Sequence, residues 1–262
     1  MSIVYEDDVH YKYGVSCTDC HGGDPKQDEG NAVMNASRGF KVRVTRENTP
    51  EYCGRCHSDA FFWDTADAYG SHAVVKVALK KLPREKVTIL TKTDARTVEQ
   101  LKPALDRYFQ EMGTDCIDIV LLHSRMNLKW DELDKGLMDL LSKAKQAKKV
   151  RAVGISCHSL GALKVAAKSP LLDVCLCRIN PAGVRMDAPT EQVLPLMADL
   201  KANGKGVLGM KILGEGQLRD RVDEALRFAV TKDAIHAFTI GVESRDELKD
   251  LLARIPKVSQ PA

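Results

Sequence analysis

From about residue 61 onward, short apolar runs alternate with stretches in which apolar residues recur at helical spacing. The apolar runs are typical of buried parallel strands, and they cover residues 61–63, 87–90, 117–122, 150–155, 174–179, 207–213 and 235–242. The amphipathic stretches predict helices over residues 98–112, 130–147, 218–230 and 246–255. This alternation predicts repeated β/α units, in which helices cover a parallel sheet.

The number of strand–helix units decides the fold class that we predict. We count seven units after residue 60, whereas a complete β/α barrel has eight and takes about 250 residues. The predicted fold is therefore α/β, a TIM (β/α)8 barrel that lacks its first βα unit. Its first and last strands would each be unpaired on one side, because only a closed barrel has no edge.

The first 60 residues have a different character, with no regular period and many turn-forming residues. Two CxxCH motifs lie in this segment, and they consist of Cys17, Cys20, His21, Cys53, Cys56 and His57. The spacing is typical of c-type haem attachment, in which both thiols bond to the haem and the adjacent histidine binds the iron. Two alternatives stay open for the four cysteines, namely a structural zinc site and free thiols.

The same segment resembles multihaem cytochromes c over about 55 residues, through the stretches VSCTDCHGGDP and CGRCHSDA. The resemblance implies two covalently bound c-type haems, with His21 and His57 as iron ligands. It also makes His10 a candidate distal ligand, although a solvated loop histidine explains His10 equally well. We therefore expect a loop-rich segment of the haem-binding type over residues 1–60.

Polar residues end three consecutive strands of the part that resembles a barrel. Asp64 follows the first run, Tyr69 lies five positions later, and Lys92 and His123 close the next two runs. In a β/α barrel the carboxyl ends of the strands form one rim, where catalytic groups lie. We therefore expect these four side chains to form one catalytic site.

The four residue types suit the reduction of a carbonyl group. A phenol is a poor acid at neutral pH, but a nearby ammonium lowers its pKa. We expect Lys92 to lower the pKa of Tyr69 in this way, while Asp64 holds Lys92 charged and in place. His123 can donate a hydrogen bond that orients the substrate oxygen.

The stretches DTADAYG, LTK and DRYFQEMGTDCIDIVLLH resemble the aldo-keto reductase family, and the likeness covers residues 61–256. The resemblance implies a barrel enzyme that uses NADPH, less often NADH, without a metal, and whose catalytic tetrad is Asp64, Tyr69, Lys92 and His123. It also implies cofactor contacts from Ser156, Asn180, Gly209, Lys211, Gly214, Gly216, Gly241 and Arg245. Glycines at such positions let backbone N–H groups approach phosphate.

Three features depart from the family pattern. Cys157 replaces the asparagine that follows the serine contacting the nicotinamide, and residues 210–213 contain no aromatic that could stack on that ring. Glu247 stands where the family has a basic residue for the adenosine phosphate. Because a 2′-phosphate favours arginine or lysine, we expect a relaxed cofactor preference or one shifted toward NADH.

Composition narrows the range of partners. The net charge of the 262 residues is only +3, and no basic block interleaves with aromatics, so we expect no nucleic-acid partner. No apolar run approaches the roughly 20 residues that a membrane span needs. The start of the chain shows no leader pattern, which predicts a cytoplasmic protein. Covalent haem attachment would instead place it in the periplasm, with an incomplete N-terminus.

These observations predict a haem-type segment at 1–60, a reductase barrel at 61–256 and a tail at 257–262. The expected function is reduction of a small aldehyde or ketone by NADPH or NADH. One alternative is a two-haem electron-transfer protein, with a redox partner and an inactive barrel remnant. Another is a junction of two genes with neither activity intact. The four cysteines beyond residue 60 are expected to be buried, reduced thiols.

Overall fold

The computed structural model describes residues 62–259. Seven strands form one parallel sheet, in which each strand pairs with the next along the chain. They are β1 (Phe62–Asp64), β2 (Thr88–Thr93), β3 (Ile117–Arg125), β4 (Val150–Cys157), β5 (Val174–Arg178), β6 (Gly206–Met210) and β7 (Ala237–Phe238). This arrangement confirms the prediction of seven parallel strands in an incomplete barrel.

Helices follow or connect the strands on the outside of the sheet. They are α1 (His72–Leu79), α2 (Val98–Met112), α3 (Trp130–Leu133), α4 (Lys135–Gln146), α5 (Leu160–Lys168), α6 (Thr190–Ala202), α7 (Val222–Thr231) and α8 (Arg245–Val258). Short 3-10 turns cover Asp67–Tyr69, Arg84–Lys86, Gly214–Gly216 and Arg219–Arg221. The first of these turns carries a predicted catalytic residue.

Alternation of side chains along the strands divides the core into two layers. The inner cluster consists of Leu90, Ile119, Leu121, Val174, Leu176, Leu208 and Met210. Neighbouring strand residues such as Ile89, Val120 and Cys175 belong to the larger cluster that also contains buried helix residues. This period of two is what a strand with both faces covered requires.

Helix α2 shows how local sequence fixes an element's ends. The side chain of Thr97 accepts a hydrogen bond from the backbone N–H of Gln100 at the N-terminus, which is the usual role of an N-cap threonine. At the other end Gly113 has φ 64°, a left-handed conformation that glycine adopts without strain. Leu101 and Tyr108 are fully buried against the sheet, and burial of each contributes about 1.5–3 kcal/mol.

Four predicted elements differ clearly from the structure, and in two of them only one end is shifted: the strand expected over residues 207–213 ends at Met210, and the helix expected over residues 218–230 begins at Val222. The last strand was expected over residues 235–242, but β7 contains only Ala237 and Phe238. Strand β6 ends at Met210, so the chain beyond Thr239, whose N–H still bonds to Gly209, has no strand to pair with. The helix predicted over residues 130–147 is broken at Asp134, whose carboxylate lies 2.7 Å from Arg125 Nε.

The cysteines of the barrel part are free thiols. Cys157, Cys175 and Cys177 are buried, which confirms the expectation, whereas Cys116 is only partly buried. Residues 62–259 contain no group of three histidine, cysteine or carboxylate side chains arranged to hold a metal ion. None of the helices within that range is long and apolar enough to cross a bilayer.

The haem prediction concerns residues that lie outside the described range. These residues are His10, Cys17, Cys20, His21, Cys53, Cys56 and His57. Covalent haem attachment and iron ligation by the histidines therefore stay predictions. Intact mass after export in the presence of haem-maturation machinery tests them, because two haem additions are expected and an unmodified mass contradicts them.

Candidate active site

The carboxyl ends of the first three strands bring the predicted acidic and basic groups together. Lys92, near the end of β2, forms an ion pair with Asp64 at the end of β1. Its ammonium also donates a hydrogen bond to the backbone oxygen of Thr65 at 2.7 Å. The Lys92 side chain is only 2% exposed. A buried ammonium needs such partners, because an unpaired buried charge is very costly.

Tyr69 and His123 complete the predicted group of four. The ammonium of Lys92 lies 5.0 Å from the centre of the Tyr69 ring. The rings of Tyr69 and His123 meet edge to face, with their centres 5.9 Å apart. Tyr69 is 57% exposed, so its side chain is open to a ligand. The structure therefore places all four sequence-predicted residues in one cluster.

The electrostatics of the cluster differ from the expectation for Tyr69. Tyr69 is partly covered by its neighbours, and this partial burial raises its pKa; the negative charges of Asp64 and Asp94 raise it further. Burial lowers the pKa of Lys92, against the opposing effect of its partner Asp64. The expected lowering of the Tyr69 pKa by Lys92 is therefore wrong for this structure. The physical reason is that the positive charge of Lys92 is matched by Asp64, which leaves burial as the larger influence.

His123 has a carboxylate partner that the sequence analysis missed. Its Nδ1 lies 3.0 Å from Oδ1 of Asp94, which follows β2 directly. Burial lowers the pKa of His123, and the charge of Lys92 lowers it too, against the opposing effects of Asp94 and Asp64. The imidazole is therefore mainly neutral at pH 7.

A second histidine lies beside the first, at the end of β4. The ring centres of His123 and His158 are 6.3 Å apart. A guanidinium nitrogen of Arg178, the last residue of β5, lies 2.5 Å from His158 Nδ1. Another nitrogen of Arg178 donates a hydrogen bond to Asp187 at 3.1 Å. Burial and the positive charge of Arg178 together lower the pKa of His158 to about 4.

These missed residues could have been found by the rule that located Lys92 and His123. Asp94, His158 and Arg178 all lie at or immediately after the carboxyl end of a parallel strand. We refer to the Asp64, Tyr69, Lys92, Asp94, His123, His158 and Arg178 side chains as the strand-end rim. Asp187 could not be found in this way, because it lies in the loop after β5.

Arg125 connects the loops that carry the strand-end rim. Its guanidinium donates hydrogen bonds to the backbone oxygens of His123 at 3.0 Å and Ala95 at 3.3 Å. Its Nε lies 2.7 Å from Asp134, and the Arg125 side chain is almost fully buried. These contacts fix the end of β3 relative to the loop after β2, and hence His123 relative to Asp94.

Ser156 and Asn180, two of the predicted cofactor-binding residues, form hydrogen bonds to the backbone of neighbouring segments. The buried hydroxyl of Ser156 accepts a hydrogen bond from the backbone N–H of Ser124 at 2.8 Å. The amide group of Asn180 is buried and bonds to the backbone of three residues, Ala182, Val184 and Lys211. Asn180 thus connects the loop after β5 to the loop after β6. These contacts hold together the end of β3, the end of β4 and the loops that follow β5 and β6.

The predicted phosphate-binding stretch begins at Gly209 within β6 and continues beyond Met210, the last residue of that strand. Lys211, Gly214, Glu215 and Gly216 all have positive φ values, from 55° to 86°. The carboxylate of Glu215 lies between two cations, 3.0 Å from Lys211 Nζ and 3.5 Å from Arg185 Nε. Two cations that already share one carboxylate form a donor set suited to a phosphate group. The residues present therefore fit the pyrophosphate of a dinucleotide.

The predicted adenosine end lies at the exposed start of α8. Ser244 caps this helix by accepting a hydrogen bond from the N–H of Glu247, and Glu247 accepts one from the N–H of Glu243 at 2.7 Å. The arrangement differs from a capping box only in that the glutamate bonds to the residue before the N-cap serine. A β-carbon built on Gly241 would contact nothing, and Arg245 is exposed at the first position of the helix. The region is open to a ligand and mixed in charge.

One cavity formed by residues 62–259 lies away from the strand-end rim. It has a volume of about 900 Å³, and its lining includes Arg84, Asp115 and Lys149. These residues precede β2, β3 and β4, at the amino ends of the strands. In this architecture that end serves stability rather than chemistry, so we place the candidate active site at the strand-end rim.

Several solved structures have the same fold. A Pseudomonas aeruginosa protein assigned to the aldo-keto reductases gives a TM-score of 0.65 at 21% identity, covering 76% of this chain and 78% of that one. An aldo-keto reductase from Bacillus halodurans gives 0.61 at 16% identity, covering 83% of this chain and 88% of that one. An aldo/keto reductase from Brucella melitensis gives 0.57 at 17% identity, covering 82% and 90%. At these identities the likeness shows the fold.

Sequence comparison identifies the family. A curated relative, the NAD/NADP-dependent indole-3-acetaldehyde reductase of Schizosaccharomyces pombe, is 40% identical over 63 residues, which make up 23% of this chain. The match spans only 22% of that relative's length. The model of the aldo/keto reductase family matches residues 56–252, about three quarters of the chain. The chain therefore belongs to the aldo/keto reductase family, whose members are oxidoreductase enzymes.

Proposed function

We propose that this protein reduces a small aldehyde or ketone with NADPH or NADH, and that Tyr69 gives the proton. One observation carries the proposal. A buried ammonium, Lys92, is paired with Asp64 and lies 5.0 Å from the centre of an exposed phenol ring. Such a cluster at the carboxyl ends of the strands can transfer a proton from the phenol to the carbonyl oxygen of a bound substrate.

The protonation state of Tyr69 suits a proton donor. Because burial and two carboxylates raise its pKa, the phenol holds its proton throughout the neutral range. When the proton leaves Oη for the substrate oxygen, the phenolate that remains is stabilised by the nearby ammonium of Lys92. Asp64 keeps that ammonium in place. Lys92 thus acts on the charge that develops during the reaction rather than on the resting phenol.

The cofactor contributes the other half of the reaction. A bound nicotinamide supplies the hydride that reaches the carbonyl carbon, so that hydride and proton together convert the carbonyl to an alcohol. Lys211, with the positive-φ backbone of residues 214–216, would hold the pyrophosphate. Gly241 and Arg245 would contact the adenosine part of the cofactor. Ser156 and Asn180 would support the nicotinamide end through the loops they fix.

A direct assay tests the proposed function. The full chain is mixed with NADPH or NADH and a panel of small aldehydes and ketones, and both cofactor oxidation and alcohol formation are measured. We expect the two to occur in equal amounts. Cofactor oxidation without alcohol, or no turnover with either cofactor, would contradict the proposal.

The indole-3-acetaldehyde reductase relative suggests one member of the panel. That relative is an aldehyde reductase by name, and its match to this chain is short. Indole-3-acetaldehyde should therefore be tested beside smaller aliphatic aldehydes. Its rate relative to the others measures how far the two proteins share a substrate.

A further inference from the structure

The 3-10 turn Asp67–Tyr69, which carries the proposed proton donor, is bonded to helix α2 through its first residue. The Asp67 carboxylate accepts one hydrogen bond from Arg107 Nη2 at 2.9 Å and another from the Tyr108 hydroxyl at 2.8 Å. Within the turn, the backbone N–H of Gly70 donates to the backbone oxygen of Asp67 at 3.3 Å. Because Tyr69 lies between these two bonded residues, its position follows that of Asp67.

The chain on the other side of Tyr69 is also bonded to α2. His72, the first residue of α1, is buried, and its Nδ1 lies 2.8 Å from Oε2 of Glu111. The other carboxylate oxygen of Glu111 accepts a hydrogen bond from Arg107 Nη1 at 2.9 Å. The guanidinium of Arg107 therefore connects the chain on both sides of Tyr69, directly before it and through Glu111 after it.

The same network reaches the two threonines that flank Lys92 on β2. The Tyr108 hydroxyl lies 3.0 Å from Thr93 Oγ1, and His72 Nε2 lies 2.8 Å from Thr91 Oγ1. Successive side chains of a strand point to opposite faces, so the two threonines face the helices whereas Lys92 faces the other side of the sheet. The bonds that hold the tyrosine segment therefore end on the strand that carries Lys92.

We propose that Asp67 and Arg107 are positioning residues that hold the Tyr69 ring close to the ammonium of Lys92. The ring centre lies 5.0 Å from that ammonium, and the stabilisation of a phenolate by the ammonium weakens as the distance grows. The Tyr69 side chain is itself exposed, so the bonds to α2 supply the constraint that packing does not. The role rests on the proposed function, because it concerns the proton donor of that reaction.

The ion pair between Asp67 and Arg107 affects position more than folding. The Arg107 side chain is about half exposed, and exposed ion pairs contribute little to stability. A misplacement of about 1 Å at a reacting group can nevertheless cost roughly 10²-fold in rate. Tyr108 donates a second bond to the same carboxylate, so Asp67 loses both bonds only when Arg107 and Tyr108 are replaced together.

The position of the Tyr69 ring can be measured without a reaction. The full chain is labelled with ¹³C in the tyrosine rings, and Tyr69→Phe assigns the Tyr69 signal. This ring meets that of His123 edge to face, with the centres 5.9 Å apart, so its chemical shift should differ from that of a free tyrosine. In Asp67→Ala the signal should move toward the value of free tyrosine, and in Arg107→Met it should move the same way by less. An unchanged Tyr69 signal in both variants would overturn the proposal.

Kinetics test the effect on turnover. We expect Asp67→Ala to lower kcat roughly tenfold, while the dissociation constant of the cofactor stays within about threefold of wild type. Asp67→Asn should recover most of kcat, because its amide oxygen still accepts hydrogen bonds. The double variant Arg107→Met/Tyr108→Phe removes both donors to Asp67 and should lose as much as Asp67→Ala, and Arg107→Met alone should lose part of it.

Arg254 offers a matched control at another place in the fold. Its guanidinium also joins two carboxylates, with hydrogen bonds to Asp250 at 2.7 Å and to Asp223 at 2.9 Å, and it connects α8 to α7. Arg254→Met should leave both kcat and the Tyr69 signal unchanged. Equal losses of kcat in Arg254→Met and Arg107→Met would show that Arg107 acts through general stability, and would overturn the proposal.

The outcomes separate this role from the proposed function. If the wild-type chain reduces carbonyls and folded Asp67→Ala does so at the same rate, the positioning role is wrong and the proposed function stands. If the wild-type chain reduces none, the proposed function is wrong, and the Tyr69 signal alone decides whether Asp67 and Arg107 hold the ring. Thermal melting of each variant establishes that a loss of turnover is not a loss of fold.

Discussion

Lys92 lies beneath Tyr69 with its ammonium 5.0 Å from the ring centre, yet the pKa of the phenol is raised rather than lowered. The reason is that Lys92 is already paired with Asp64. Its effect on Tyr69 is therefore largest when the phenol gives up its proton, because only then does a new negative charge appear beside the ammonium.

Lys92→Met tests this relationship. The variant keeps much of the length of the side chain but leaves the phenolate without its cation and Asp64 without its partner. We expect kcat to fall about 10²-fold or more. Lys76→Met is a matched control, because Lys76 is exposed and, among the residues that the structure describes, its ammonium bonds only to the backbone of Gln110. Equal loss of turnover in both variants would contradict the assigned role of Lys92.

Some of this site follows from the sequence and some does not. The rule that catalytic groups lie at the carboxyl ends of strands located Lys92 and His123, and strand periodicity is enough to apply it. The direction of the Tyr69 pKa shift, by contrast, could not be predicted from the sequence. It depends on burial and on the charge of Asp94, and only the folded chain brings Asp94 close to the phenol.

The contact between Arg178 and His158 was likewise invisible in the sequence. It joins the ends of two neighbouring strands, β4 and β5, whose register sets which side chains meet. Helix α2 lies at the other extreme, since its predicted bounds agree with the structure. There the threonine cap, the apolar face and the terminal glycine are all local signals. The sequence analysis predicted too long a strand for β7, because the length of β7 depends on where its partner strand β6 ends.

Stability should fall as the pH is lowered through the histidine range. An ordinary histidine has a pKa near 6.5, whereas that of His158 in the folded protein is about 4. Between these two values the unfolded chain binds more protons than the folded one, so acid favours unfolding. His123 and His236 act in the same direction, because their pKa values are also lowered.

Urea unfolding of wild type and His158→Gln at pH 7 and pH 4.5 measures how much of this loss of stability comes from His158. The wild-type free energy of unfolding should drop more between the two pH values than that of His158→Gln. An equal drop in both proteins would show that His158 does not titrate with a lowered pKa in the folded state.

The cofactor preference should be less than tenfold in favour of NADPH. At the start of α8, Glu247 and Asp246 lie beside Arg245, so repulsion of a 2′-phosphate by the carboxylates opposes its attraction to the arginine. Fluorescence titration with both cofactors measures the two dissociation constants. A preference for NADPH of tenfold or greater would contradict this expectation.

Glu247→Gln isolates the contribution of charge. Glutamine can still accept the hydrogen bond from the Glu243 N–H, so the start of the helix is preserved. We expect the affinity for NADPH to rise while that for NADH changes little. If both affinities change equally, Glu247 acts through local structure and not through its charge.

The sheet edges at β1 and β7 should make the barrel part prone to association. Over residues 62–259 each of these strands pairs with one neighbour, and such edges tend to pair with other chains. Size-exclusion chromatography and thermal melting of residues 61–262 should show association or a low melting temperature. A monomer that melts cooperatively above about 65 °C, the upper end for mesophilic domains, would contradict this prediction.

The measurement that tests the central claim most directly compares three proteins in single-turnover reduction of a small aldehyde. They are wild type, Tyr69→Phe and Tyr108→Phe; Tyr108 is a buried tyrosine whose hydroxyl bonds to Asp67 and Thr93. The account predicts that Tyr69→Phe binds the cofactor normally but reduces the aldehyde about 10²-fold more slowly, while Tyr108→Phe loses stability and keeps its rate. A Tyr69→Phe variant that reduces the aldehyde at the wild-type rate would contradict it.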